Sequence, residues 1–73
     1  MLTEAQAARP ATLTDDELAI LALLADGRLT ASVAVELHLS ERSVRHRVRV
    51  ICERLDVGTP IEAVVWAVRR GLV

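Results

Sequence analysis

The residues best equipped for chemistry lie in one stretch, SERSVRHRVRVICERL from Ser40 to Leu55, which holds five arginines and a histidine. The chain has 73 residues and a formal net charge of -1, so this stretch stands against an acidic background. Residues 1 to 40 carry -4, residues 41 to 54 carry +3, and residues 55 to 73 balance. A local positive patch of this kind implies a local anionic partner. Every basic residue is Arg, so position along the chain is more informative than residue type. Catalysis finds no comparable cluster. Two His, one Cys and scattered carboxylates give no metal-ligand spacing, no phosphate loop and no nucleophile with a base. The sequence implies no enzyme, no metal and no cofactor.

The elements that position these residues follow from composition and local signals. With 52% hydrophobic and 1% aromatic residues, the core must be built from Ala, Val, Leu and Ile, a palette suited to packed helices. The expectation is an all-α fold of four helices, a single small domain with roughly 3 to 5 kcal/mol of stability. Cys52 has no second cysteine to pair with. No run approaches the roughly 18 apolar residues of a membrane span, and no secretory signal is present, so a soluble, cytoplasmic protein is expected. Residues 1 to 12, Ala-rich with Pro10, read as a loosely ordered lead or linker stub before a domain over 13 to 73.

Helix starts are legible. Leu13-Thr14-Asp15-Asp16-Glu17-Leu18 offers Thr14 as N-cap, Glu17 as the return arm of a capping box, and Leu13 with Leu18 as a hydrophobic staple. The first helix is predicted to run to about Ala25 with Leu18, Leu21 and Leu24 inward, and Gly27 as its stop. Thr30 is predicted to cap a short second helix through Leu37, with Val33, Ala34 and Leu37 at helical spacing. After the turn His38-Leu39-Ser40, Ser40 caps the third helix, with Leu39 and Val44 as a staple and Val57-Gly58 beyond its end. Thr59-Pro60-Ile61-Glu62 opens the fourth as a second capping box, and Gly71 ends it.

On a helical wheel with Val44 at zero, Val48, Ile51 and Leu55 fall within about 40° and form a core stripe. Arg45, Arg49 and Arg42 fall at about 100°, 140° and 160°, His46 at about 200°, and Ser43, Arg54 and Arg47 at about 260° to 300°. Arginine thus rims both sides of an exposed face. A helix fits the DNA major groove, where rim arginines meet phosphates and outward side chains meet base edges. The capped N-terminus adds amide donors for a phosphate. With the short helix and turn before it, the pattern is a helix-turn-helix whose second member reads. Cys52, at about 80°, borders the stripe and reads as a small buried hydrophobe rather than a redox sensor. Glu53 faces outward, late in the helix, and is left outside the site.

The sequence resembles the LuxR-type output domain, also called GerE-like or NarL/FixJ-type, from Leu13 to Val73. The resemblance rests on Leu13-Thr14 with Glu17, Gly27, Val33-Ala34 with Leu37, Leu39-Ser40, Ser43-Val44-Arg45, Ile51, Arg54-Leu55 and Val57. Glu62-Ala63, Ala67 and Gly71-Leu72 close the series. It implies a four-helix DNA-binding domain that dimerises through its fourth helix. Arg45, His46 and Arg49 match positions used against bases or nearby phosphates, and Arg42 is added to that base-facing set from its place on the wheel. Ser43, Arg47 and Arg54 match backbone-contacting positions, Thr30 stands where phosphate contacts are common, and Ser40 joins them as the cap. Arg47 stands where the family usually has His, Pro60 where it usually has Arg, and Ser32 where it usually has Glu.

Other readings stay open. The arginine face can be plain solvated surface, Arg54 can pair with Glu36 or Glu53, and His46 can be an ordinary exposed side chain. In the fourth helix, Ile61, Ala63, Val64, Val65, Ala67 and Val68 spread apolar character over about 200°, more than one core face needs. Val64, Val65 and Val68, with Trp66, are the expected contacts of a homodimer, formed alone or only on DNA. The competing class is a protein-interaction module whose fourth helix binds a transcription-related partner such as RNA polymerase. The sigma-factor region 4 fold is a neighbouring alternative.

Overall fold

The computed structural model describes residues 13 to 73. The lead expected over 1 to 12 lies outside the described residues. Four helices and no strand occur among the described residues: α1 (Asp15–Ala25), α2 (Thr30–Leu37), α3 (Glu41–Leu55) and α4 (Pro60–Arg69).

Local chemistry accounts for most boundaries. Thr14 and Glu17 form the full capping box: the Glu17 N–H donates to Thr14 Oγ1 at 3.1 Å, and the Thr14 N–H donates to Glu17 Oε1 at 2.9 Å. Ser40 Oγ accepts from the Ser43 N–H at 3.0 Å and so caps α3. Two expectations are corrected. Thr30 is the first residue within α2; Leu29 stands at the cap, and no side chain bonds the first turn of that helix. In α4 the Glu62 N–H does donate to Thr59 Oγ1 at 3.2 Å, but Glu62 Oε1 accepts from the Gly58 N–H at 2.6 Å. The return arm of the box is therefore displaced by one residue, from the Thr59 N–H to that of Gly58.

Helix ends use left-handed residues. Gly27 and Gly71 have φ of 84° and 70°, as their expected role as stops requires. His38 and Asp56 take φ of 60° and 58°, and both are residue types that tolerate this region better than most. At the first, the Leu39 N–H returns to the Ala34 carbonyl at 2.8 Å, which turns the chain from α2 into α3. At the second, the Val57 N–H returns to the Cys52 carbonyl at 3.0 Å. Asp56 thus ends α3, and Val57-Gly58 follows that end as expected.

Packing forms two clusters. Ile20, Val33, Ala34 and Val44 join α1, α2 and α3; Leu21, Ile51, Cys52, Ala63 and Ala67 join α1, α3 and α4. Leu24 and Val48 border both clusters and weld them together. Ile20 is fully buried although the expected inward set named Leu18, Leu21 and Leu24; Leu18 is only half-buried. Leu13 packs on the Leu21 cluster and Leu39 on the Val44 cluster. Ala63 and Ala67, both fully buried, form the core side of α4.

Ile51 is fully buried at the centre of α3, whereas Val35 is 77% exposed. Truncating Ile51 to Ala should cost about 2 to 5 kcal/mol, comparable with the whole stability of a domain this size. Urea melts followed by circular dichroism should find Ile51→Ala largely unfolded, while Val35→Ala shifts stability by less than about 0.5 kcal/mol.

Candidate nucleic-acid interface

The face of α3 opposite its core stripe carries Arg42, Arg45, His46 and Arg49, all exposed. Val44 and Ile51 on the other side are fully buried, and they fix which way the face points. Ser43 and Arg47 are half-buried on one flank, and Thr30, half-buried at the start of α2, lies across the other. Arg45, Arg49 and Thr30 line one shallow depression with Leu24, Val48, Cys52, Gly58 and Pro60. Arg42, Ser43, His46 and Arg47 line a second with Thr14, Asp16, Glu17 and Val50. Both depressions have α1 as a wall, α2 and α4 border only the first, and Arg42 falls with Ser43 and Arg47 rather than with Arg45 and Arg49, beside which the wheel had placed it.

Carboxylates engage three of the arginines. Arg45 Nη2 lies 2.8 Å from Glu41 Oε1 one turn earlier. Arg47 Nη1 lies 3.8 Å from Asp16 Oδ2 on α1, an exposed and weak pair. Arg54 Nη1 donates to Glu17 Oε1 at 2.5 Å, across 37 residues of sequence. Glu17 is 8% exposed, so the carboxylate end of this pair is nearly withdrawn from water while the Arg54 side chain stays half-buried. Arg54 thus pairs with Glu17, whereas the alternative reading offered Glu36 or Glu53 for it; Glu36 instead faces Arg28 at 3.6 Å. Nothing local signals this pairing, although Glu17 was already marked as a capping residue. Arg42 and Arg49 have no ion-pair partner among the described residues.

The Ser40 hydroxyl donates to Ser43 Oγ at 3.1 Å while accepting from the Ser43 N–H. Its one proton is used within the cap, and the Ser43 hydroxyl proton is left to donate outward. Burial pushes the Cys52 thiol up, and the Glu62 and Glu53 carboxylates push it further in the same direction. It stays a protonated, buried thiol, in keeping with its reading as a small hydrophobe.

The fourth helix divides differently from expectation. Ile61, Val65 and Val68 are 71%, 40% and 50% exposed and align on one stripe, continued past the helix end by Leu72. Val64 is half-buried against the Leu21 and Ile51 cluster, so it serves the core, and Ile61 takes its place on the open face. Trp66 also packs on that cluster; the Arg70 guanidinium lies 4.1 Å from its ring centroid. The ring is therefore sandwiched between core and cation.

A short helix, a tight left-handed turn and a longer helix with one arginine-faced, core-anchored side define a helix-turn-helix domain. The chain matches the family model described as bacterial regulatory proteins, luxR family, over residues 11–67, and it belongs to that family. The family consists of DNA-binding regulators rather than enzymes. The chain is 39% identical over 59 residues to the transcriptional regulatory protein DesR of Bacillus subtilis (strain 168), covering 81% of this chain and 30% of DesR. It is 36% identical over 62 residues to LiaR and 33% identical over 61 residues to YdfI, both named as transcriptional regulatory proteins of the same organism. These alignments cover 85% and 84% of this chain, and 29% of each relative. The chain thus spans less than a third of the length of these relatives. No solved structure matches it. No helix among the described residues is long and apolar enough to cross a membrane.

Glu17 serves both the α1 cap and Arg54. Glu17→Ala should destabilise the domain by about 1 to 3 kcal/mol, since it strands a backbone donor and a partly buried guanidinium together. Asp16→Ala, which removes only the exposed contact to Arg47, should change the urea midpoint by less than about 0.5 kcal/mol in equivalent free energy.

Proposed function

We propose that the chain is a sequence-specific double-stranded DNA-binding unit of a cytoplasmic transcriptional regulator, with residues 13 to 73 forming the domain and α3 lying in the major groove. The observation that carries this reading is the division of α3 into a buried apolar side and an exposed side bearing Arg42, Arg45, His46 and Arg49. The relatives named as transcriptional regulatory proteins support it. Arg45 and Arg49 are the principal base readers, as bidentate donors to guanine O6 and N7, with His46 and Arg42 beside them. Thr30, Ser43 and Arg47 face phosphates, and Ser40 contributes by ordering Ser43. The uncapped first-turn amides of α2 favour the same role for Thr30. Arg54, held by Glu17, meets the backbone only with its remaining donors and mainly fixes the pose of α3.

If α3 enters the groove, affinity for duplex DNA falls steeply as salt rises. Replacing both Arg45 and Arg49 by Ala should weaken binding at low salt by at least about 10-fold, measured by fluorescence anisotropy. Unchanged affinity in that variant would sink the groove assignment.

The open stripe Ile61, Val65 and Val68 supports a homodimer through α4, with Val64 and Trp66 behind it. The same stripe is what the alternative reading uses, in which α4 docks a transcription-related partner such as RNA polymerase. Changing Val65 and Val68 together to Asp should leave the circular dichroism spectrum intact but convert a two-to-one protein–DNA complex to one-to-one in sedimentation. A wild-type chain that stays monomeric on DNA and at high concentration would rule the dimer out.

A further inference from the structure

Arg45 is the one exposed arginine of the groove-facing set that holds a carboxylate, among the described residues. Its Nη2 meets Glu41 Oε1 at 2.8 Å, with the two side chains 63% and 45% exposed. Such a pair contributes little to stability in water. Its effect on recognition is larger, for three physical reasons.

A guanidinium presents its donors as a rigid fork, and Glu41 engages it through Nη2 alone. The rest of the fork stays available for the paired acceptors of guanine. The carboxylate also fixes a long, flexible side chain before DNA arrives, so its ordering is not charged against binding. Finally, a phosphate that meets the Arg45 guanidinium on its Nη2 side comes close to the Glu41 carboxylate as well. Repulsion disfavours that contact, whereas the partial charges of a base edge meet a smaller penalty than a full phosphate charge does. Arg42 and Arg49 lack this arrangement.

We propose that Glu41 is a specificity-determining positioning residue that directs Arg45 to a base and away from the backbone. The inference rests on the reading that α3 occupies the major groove. Glu41 sits in the first turn of that helix, where its charge also favours the helix N-terminus.

The test compares two duplexes, one recovered with the wild-type chain from a pool of randomised DNA and a shuffled version of it. With Glu41→Gln, affinity for the shuffled duplex should rise by about two-fold as one negative charge near phosphate is lost, while preference for the recovered duplex falls by about five-fold or more. Glu41→Asp keeps the charge on a shorter arm; it should lose preference without gaining affinity for the shuffled duplex. In an Arg45→Ala background, Glu41→Gln should leave preference unchanged. If Glu41→Gln raises both affinities equally, Glu41 acts only through its charge and the proposal is overturned. It is equally overturned if the loss of preference persists without Arg45, since Glu41 would then read a base itself. If Arg45→Ala alone leaves the wild-type preference intact, the groove reading fails first and takes this inference with it.

Discussion

The Glu17 carboxylate is the constraint on which the arrangement of the domain turns. One oxygen accepts from the Thr14 N–H and from Arg54 Nη1, so the start of α1 and the last turn of α3 share a single acceptor. Apolar packing is non-directional, and a core of Ala, Val, Leu and Ile offers little to prevent α3 from sliding or rolling against α1. A partly buried, hydrogen-bonded ion pair is directional and tolerates little displacement. Removing Arg54 would leave the nearly buried Glu17 carboxylate without its counter-charge, which is why such pairs constrain geometry more than they add stability. At the opposite end of α3 the Ser40 cap and the left-handed His38 hold its entry. Helix α3 is thus fixed at both ends by polar contacts and in the middle by Val44 and Ile51.

That fixation explains how so small a domain keeps two working surfaces apart. The clusters on either side of the α1–α3 pair meet only through Leu24 and Val48, and α2 and α4 make no contact with each other among the described residues. The arginine face and the open stripe of α4 are joined through the rigid pair rather than through a loop. An assembly built on α4 would therefore set the spacing between two copies of α3 by geometry already present in each copy.

What could be seen in the sequence was what local chemistry controls. Thr14, Ser40 and Thr59 cap their helices because a hydroxyl and an amide a few residues apart decide the matter between themselves. The core side of α3 was equally legible, since helical period alone places Val44, Val48, Ile51 and Leu55 together. Thr30 misled because a good capping residue one position late simply becomes the first residue of the helix when the preceding Leu29 adopts extended backbone. Arg54 and Glu17 were invisible as a pair because their meeting depends on how α1 and α3 cross. The exchange of Val64 for Ile61 on the open face has the same origin: a helix apolar over about 200° does not say which of its sides the core will take. Long-range packing decides such cases, and no local signal reports it.

The carboxylates around α3 finally change what five arginines mean. Counter-ion release is set by the phosphates a protein neutralises, not by the number of its basic residues. Glu41, Asp16 and Glu17 each offset one arginine, so Arg45, Arg47 and Arg54 bring less net attraction than their number suggests. Arg42 and Arg49 carry the positive charge that has no such counterweight among the described residues. A chain of net charge -1 with this layout is poorly suited to holding any DNA through charge alone. On the proposed groove reading, binding would then lean on contacts that only a matching base sequence completes, and the acidic neighbours would serve discrimination by holding down the sequence-independent affinity against which it is measured.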